Sequence, residues 1–220
     1  MKPIVLIVAK APVPGKVKTR LTPAVTSLRA ASIAAAAFLD TVETALATPR
    51  TQVAVALDGD LRDGVRGEEL SALLAACEVF PQRGTGLPDR LANAHDDLAE
   101  RHPDGRTIQI GMDTPQVTTG LLAGAVDRLG AYDAVLGRAH DGGWWCLGLR
   151  DPRAADALRL VPASRPDTGA RTEYALGRRG HTVGALAELS DVDTMADAHR
   201  VAALVPGSRF AAAVAGTAPC

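Results

Sequence analysis

The residues best suited to chemistry in this chain are cations and carboxylates that follow apolar runs. Directly after the run Ile4–Ala9, the segment Lys10–Leu21 carries three lysines, an arginine, two prolines and a glycine. Ligands of open α/β sheets bind at the carboxyl ends of the strands, so cations there favour a polyanion, most simply the phosphates of a nucleotide. Gly15 would offer its backbone N–H group, and Lys18 and Arg20 would offer charge. A solvated basic turn is the alternative.

A carboxylate follows a second apolar run in the same way. Asp113, within Gly-Met-Asp-Thr-Pro, comes just after the run Thr107–Ile110. A hard oxygen ligand at that point suits Mg²⁺ or Mn²⁺ bridging a diphosphate. Asp113 or Thr114 would serve equally well as the N-cap of a helix that begins near Pro115. The motif alone leaves both interpretations open.

A third motif combines an aspartate with two glycines. Asp141 is followed by Gly142 and Gly143, which permit a close approach of backbone to a ligand. Trp144 and Trp145 come next, and core packing accounts for these tryptophans better than stacking on a base does. Core packing does not account for the aspartate and the glycines.

The last acidic motif lies near the end of the chain, in Asp191-Val-Asp193-Thr194. Asp191 could supply a second metal ligand or a base, and a structural role is equally compatible with its position. For Asp193, a place at the N-terminus of a helix with Thr194 and Asp197 is the favoured interpretation.

The elements that must position these residues alternate along the chain. Buried or β-branched runs predict strands at 4–9, 52–57, 77–80, 107–110, 133–137, 144–149 and 181–185. Helical composition predicts helices at 27–47, 68–76, 89–101, 118–129, 153–160, 169–179 and from about 194 to 204. This alternation predicts a mostly parallel sheet between two layers of helices, an α/β/α sandwich. The motifs at 10–20, 58, 82–90, 113 and 141 would then meet along one edge.

Length and composition narrow the class of protein further. The 220 residues fit one domain over residues 1–205, and the Ala/Gly-rich residues 206–220 are predicted to form a flexible tail. A net charge of −1 without a basic face argues against a nucleic-acid partner. No membrane span is expected, because the apolar stretch around residues 27–47 is interrupted by Asp40 and Glu43.

The three cysteines are far apart and show neither metal spacing nor a disulfide framework. With no signal peptide at the N-terminus, the expectation is a reduced, cytoplasmic protein. The sequence leaves the oligomeric state open, with a homodimer as one option.

Taken together, four motifs resemble the DUF2064 family, whose members are relatives of the GT-A glycosyltransferases and of nucleotidyltransferases such as the molybdenum-cofactor guanylyltransferases. The motifs are Lys10-x-Pro12-x-x-Gly15-x-x-Lys18-Thr-Arg20-Leu21, Gly111-x-Asp113-x-Pro115, Leu136-Gly-x-Ala139-x-Asp141-Gly142-Gly143 and Leu189-x-Asp191-Val-Asp193-Thr194. They occur in the same order and span roughly residues 4 to 205.

The resemblance implies a Rossmann-like GT-A sheet, a nucleotide-activated donor, a small-molecule acceptor and a divalent metal, Mg²⁺ or Mn²⁺. Matched by position, Asp113 would hold the metal, and Asp141 or Asp191 would act as the base. The residues implied on the donor nucleotide and its phosphates are Lys10, Pro12, Gly15, Lys18, Arg20, Gln82 and Arg90. The residues implied on the acceptor side are Gly142, Gly143 and Trp144.

Three functions remain open from the sequence. The leading one is transfer of a sugar from a nucleotide-sugar. The second is nucleotidyl transfer to a small phosphorylated acceptor, which the paired cations Lys18 and Arg20 favour because a triphosphate carries more charge. The third is a non-catalytic nucleotide-binding protein. Two departures from the family pattern motivate it, at Pro88 in the glycine-rich loop and at Trp144 after the glycines.

Overall fold

The computed structural model describes residues 2–216, in which seven strands form one sheet. The strands are β1 (Ile4–Lys10), β2 (Gln52–Asp58), β3 (Glu78–Pro81), β4 (Thr107–Gly111), β5 (Ala134–Arg138), β6 (Trp144–Leu149) and β7 (Val183–Ala185). Their order across the sheet is β3-β2-β1-β4-β6-β5-β7. All pairings are parallel except those of β6, which runs antiparallel to both β4 and β5. The mostly parallel α/β sheet expected from the sequence is confirmed.

Seven α-helices connect and cover these strands within the described residues. They are α1 (Ser27–Ala47), α2 (Gly67–Leu74), α3 (Gly86–Arg101), α4 (Thr119–Arg128), α5 (Thr168–Arg178), α6 (Met195–Leu204) and α7 (Arg209–Ala215). Short 3-10 helices lie at Thr19–Leu21, Leu61–Asp63 and Pro152–Leu160.

The central strand β1 separates two apolar layers. Side chains alternate between the faces of a strand, so Val5 and Ile7 pack with α1 and α4 on one face. Ile4 and Leu6 pack with Phe80 and the apolar side of α3 on the other face. Both faces of the sheet are therefore covered by helices, as the alternation of elements predicts.

Helix α1 is the longest apolar helix of the fold. By length and composition alone it could cross a membrane. Most of its side chains are buried inside the protein, however, against the sheet and against α7. Thr26 caps its first turn by accepting a hydrogen bond from the backbone N–H of Arg29 at 3.2 Å. In this structure α1 is the main core helix on its side of the sheet.

Two expectations from the sequence are corrected. The helix predicted from residue 89 begins at Gly86, so Pro88 lies in its first turn, where a missing backbone N–H costs no hydrogen bond. The tail predicted from residue 206 contains α7, in which Phe210 and Val214 are buried in a cluster with α1 and α6. The Ala-rich composition of this segment conceals the helix, because only Phe210 and Val214 anchor it in the core. Residues 217–220 lie outside the described part.

Candidate functional site

The polar ends of β1, β2, β4 and β6 open into one cleft of about 590 Å³. Ten of the residues predicted from the sequence line it, namely Lys10, Lys18, Arg20, Gln82, Arg90, Asp113, Asp141, Gly143, Trp144 and Asp191. The predicted convergence of the motifs on one edge of the sheet is therefore observed. Asp58, Lys16 and Asp193 also line the cleft.

Three predicted residues do not line the cleft. Pro12 is buried, and its carbonyl accepts a hydrogen bond from the backbone N–H of Val65 at 3.1 Å. Gly15 lies in an exposed turn with a φ of +79°, which its lack of a Cβ permits. Gly142 has a φ of +88°, and a Cβ on it would lie 1.8 Å from the carbonyl oxygen of Pro166. The close approach that Gly142 permits is to the protein's own backbone.

Lys18 joins the basic loop to the carboxylate after β4. Its ammonium group donates to Asp113 Oδ2 at 2.5 Å and to the carbonyl oxygen of Val192 at 2.6 Å. Lys18 has a φ of +46°, in the left-handed region that non-glycine residues seldom adopt. Burial by itself would raise the pKa of Asp113, but the charge and hydrogen bond of Lys18 outweigh it and hold that pKa below its usual range.

Arg20 pairs with the acidic segment near the end of the chain. Its guanidinium lies 2.6 Å from Asp193 Oδ2, and both side chains are exposed to solvent. Lys18 and Arg20 therefore each have a carboxylate partner in this structure. If a phosphate bound at this loop, its oxygens would replace those carboxylates as the partners of Lys18 and Arg20.

The remaining predicted cations pair with a residue that was not predicted to bind a ligand. Asp58, at the end of β2, accepts a hydrogen bond from Arg90 at 2.8 Å and lies 3.7 Å from the ammonium of Lys10. Its place at the carboxyl end of a buried strand was the available signal. Gln82 has a structural task, because its Nε2 donates to the carbonyl oxygens of Ala9 at 2.7 Å and Ala56 at 2.9 Å. Gln82 thereby ties the ends of β1 and β2 together.

Lys16 is a cleft residue that the sequence analysis did not assign. It is exposed, and no carboxylate among residues 2–216 forms an ion pair with it. The intervening Val17 is buried, and Lys16 and Lys18, on either side of it, both line the cleft. Their spacing around a buried valine was the signal that could have identified Lys16.

Asp191 is the most perturbed carboxyl of the cleft. Burial and, after it, the charges of Asp141 and Asp113 together raise its pKa to about 7, against the opposing effect of Lys18. The segment that carries it is held at both ends, by the pairing of Leu189 with Ala139 and by the hydrogen bond from Lys18 to Val192. The amide of Gln116 also donates to the Ser190 carbonyl. Asp191 is thus fixed among like charges.

The carboxylates of this cleft have the donor chemistry for Mg²⁺ or Mn²⁺. Repulsion among Asp113, Asp141 and Asp191 is the kind of strain that a bound cation relieves. Within residues 2–216, no three acidic, histidine or cysteine side chains stand close enough to hold an ion by themselves. Magnesium commonly uses one or two carboxylates together with substrate phosphates and water, so the residues present fit a metal that arrives with a diphosphate.

Comparison with known proteins gives a family match over the middle of the chain. The model of a family described as "Uncharacterized protein conserved in bacteria (DUF2064)" matches residues 41–165. No curated protein sequence matches the chain.

Solved structures resemble the whole chain. A protein from Desulfovibrio desulfuricans G20, provisionally assigned as a nucleotide-diphospho-sugar transferase, is 26% identical with a TM-score of 0.84, covering 98% of this chain and 95% of that one. Rv0371c from Mycobacterium tuberculosis H37Rv, solved with manganese, is 22% identical with a TM-score of 0.53 over 90% and 97%. A CMP:2-keto-3-deoxy-manno-octonic acid synthetase complexed with CTP is 17% identical with a TM-score of 0.53 over 93% and 98%. The predicted α/β fold and the predicted transferase class are confirmed by these similarities.

Proposed function

The chain belongs to the DUF2064 family, and from that premise we propose that it is a metal-dependent transferase that takes a sugar from a nucleotide-sugar. The similarity to a provisional nucleotide-diphospho-sugar transferase, over nearly the whole of both chains, supports this choice of donor. We further propose that the chain forms a single GT-A-like domain that works in the cytoplasm.

The observation that carries the proposal is the opposition of charges across one cleft. Lys16, Lys18 and Arg20 reach the cleft from the loop after β1. Asp113 reaches it from the loop after β4, Asp141 from the loop before β6, and Asp191 from the segment before α6. Asp191, with a pKa of about 7, marks a surplus of negative charge on the second side. A diphosphate on the cations and a divalent metal on the carboxylates would balance both sides.

The residues divide into roles on this basis. Lys16, Lys18 and Arg20 would bind the phosphates of the donor, and Asp113 would hold Mg²⁺ or Mn²⁺. The bound metal would supply positive charge next to the leaving diphosphate. The manganese in the Rv0371c structure agrees with such a metal.

Asp141 or Asp191 would take the proton of the acceptor hydroxyl. As the acceptor oxygen bonds to the anomeric carbon, the bond from that carbon to the phosphate oxygen breaks, and the nucleoside diphosphate leaves. Both carboxylates line the cleft, and either is suited to accept that proton as a general base.

A second function, nucleotidyl transfer, is favoured by the concentration of cations on the loop after β1. The same fold occurs in a synthetase that was solved with CTP. In that reaction an oxygen of the acceptor would attack the α-phosphorus of a nucleoside triphosphate, and pyrophosphate would leave. The two functions differ in the group released, so the product distinguishes them.

The test is a thermal-shift panel of nucleotide-sugars and nucleoside triphosphates, each with and without Mn²⁺. The proposal expects Mn²⁺-dependent stabilisation by a nucleotide-sugar, loss of that dependence in Asp113→Ala, and no change in Asp127→Ala, an exposed acidic residue of α4 outside the cleft. Incubation with hit compounds should release nucleoside diphosphate. Release of pyrophosphate from a triphosphate alone would establish the second function, and metal-independent binding without turnover would indicate a non-catalytic protein.

A further inference from the structure

Two loops on the far side of the cleft are interlocked through their glycines. The carbonyl of Gly142 accepts a hydrogen bond from the backbone N–H of Gly169 at 2.8 Å. A Cβ on Gly142 would lie 1.8 Å from the Pro166 oxygen, and a Cβ on Gly169 would lie 2.6 Å from the Gly143 oxygen. The loop that carries Asp141 therefore packs closely against residues 162–169. We call this segment, which ends in the first residues of α5, the 162–169 loop.

The 162–169 loop has a defined conformation of its own. Thr168 Oγ1 donates to the carbonyl of Pro162 at 2.9 Å and accepts from the backbone N–H of Arg165 at 3.1 Å. Ser164 is held at a φ of +57°, in the left-handed region. Non-glycine residues in that region carry a conformational cost and occur often at functional sites. The result is that Ser164 and Arg165 both line the cleft.

The residues that line the cleft around the 162–169 loop differ in chemistry from the cations of the loop after β1. Trp144, Leu158 and Val161 provide apolar surface, and Arg165 provides a cation. Among residues 2–216, the guanidinium of Arg165 makes one long contact, of 3.4 Å to Asp167, whose other oxygen accepts from Arg171 at 2.6 Å. With 57% of its side chain exposed, Arg165 has guanidinium N–H groups available to a ligand.

We propose that Arg165 binds an anionic group of the acceptor, so that the acceptor is a small alcohol that also carries a phosphate or a carboxylate. The inference rests on the proposed function, because it takes the loop after β1 as the site of the donor phosphates. A planar guanidinium recognises either anion through paired N–H donors. Asp141, on the loop that packs against the 162–169 loop, would face the hydroxyl of the same acceptor. The apolar residues would contact its carbon skeleton.

The test uses three probes with one carbon skeleton, namely glycerol 3-phosphate, glycerate and glycerol. Their affinities are measured by calorimetry with Mn²⁺ and whichever of GDP or UDP the wild-type protein binds, or on the free protein if it binds neither. We expect one of the two anions to bind and glycerol not to. Arg165→Ala should lower the affinity for that anion about tenfold or more, because a hydrogen bond to a charged group is lost. Arg165→Lys should restore part of this affinity. Whichever anion binds identifies the source of the charge.

The matched control is Arg178→Ala, which removes an exposed arginine of α5 at a position outside the cleft lining. It should bind the anion within about twofold of the wild type. Equal affinity of Arg165→Ala and wild type, equal binding of glycerol and the anions, or no binding of either anion would each overturn the proposal. Nucleotide affinity is measured first on the same variants. It distinguishes a failure of the Arg165 proposal from a failure of the proposed function. That affinity should not change in Arg165→Ala.

Discussion

The ammonium of Lys18 lies 2.5 Å from a carboxylate oxygen of Asp113, although the two residues are 95 positions apart in the chain. The sequence assigned one to phosphate and the other to metal. Their contact makes these two roles interdependent, because a ligand that draws Lys18 away leaves Asp113 free for a cation. The site therefore contains its own counter-charges when no substrate is bound.

Replacing Lys18 or Arg20 with methionine should show that the ion pair of Lys18 contributes more to stability than the exposed ion pair of Arg20. Lys18→Met should lower the free energy of unfolding by about 1–3 kcal/mol, because Asp113 and the Val192 carbonyl lose a donor in a partly buried place. Arg20→Met should cost less than about 1 kcal/mol, because its pair with Asp193 is exposed. Urea denaturation measures both. Equal costs would contradict the buried role of Lys18. Under the proposed function, both variants should also bind the donor more weakly.

Lys16 should contribute to binding without contributing to stability. Lys16→Met should leave the free energy of unfolding within about 0.5 kcal/mol of the wild type, because no carboxylate in the described part of the chain pairs with it. Its affinity for a nucleoside diphosphate should fall about tenfold, because a free cation facing the cleft is lost. Lys2→Met, an exposed lysine outside the cleft, is the control. Unchanged nucleotide affinity in Lys16→Met would remove Lys16 from the site.

His95 should make the fold sensitive to mild acid. It is fully buried between Thr107 and Gln109, at 2.9 Å from each, and burial lowers its pKa to about 4 against the opposing effect of the Gln109 hydrogen bond. An unfolded histidine takes up a proton below about pH 6.5, whereas folded His95 does so only below about pH 4. Between these values the unfolded state binds more protons, so stability falls as the pH falls.

The loss expected from His95 between pH 6.5 and 4 is ~3 kcal/mol, the shift expressed as free energy. Urea denaturation across this range, on wild type and His95→Asn, measures it. The stability difference between the two proteins should shrink as the pH falls and level off below about pH 4. Parallel pH curves for the two proteins would mean that His95 does not titrate as the structure indicates.

Helix α7 should be part of the cooperative fold. Phe210 is 1% exposed in the cluster with α1 and α6, and Arg209 pairs with Glu43 at 2.6 Å. Phe210→Ala should cost about 3–5 kcal/mol of unfolding free energy because it opens a cavity. Leu204→Ala, at a residue that is 68% exposed, should change it by less than about 0.5 kcal/mol. A Phe210→Ala protein as stable as the Leu204→Ala protein would restore the loosely held tail expected from the sequence.

The sequence by itself determined the elements whose signals are local. Buried β-branched runs predict β1 and β2 within a residue of their observed ends, and the composition of α1 predicts both of its ends. The order of strands and helices also determined that the motifs meet at one edge of the sheet. These predictions succeed because the spacing of apolar residues along the chain indicates which side chains of a strand or helix are buried.

Tertiary structure alone decided which residues became partners. Charge identifies Lys10 and Arg90 as cations, but only the folded sheet brings Asp58 to both of them. The glycine at 142 reads as room for a ligand, yet its neighbour is the Pro166 carbonyl, more than twenty positions later in the chain. The direction of β6 and the packing of α7 were decided in the same way. Ion pairs and close packing depend on distances between segments remote in sequence, and local patterns do not contain those distances.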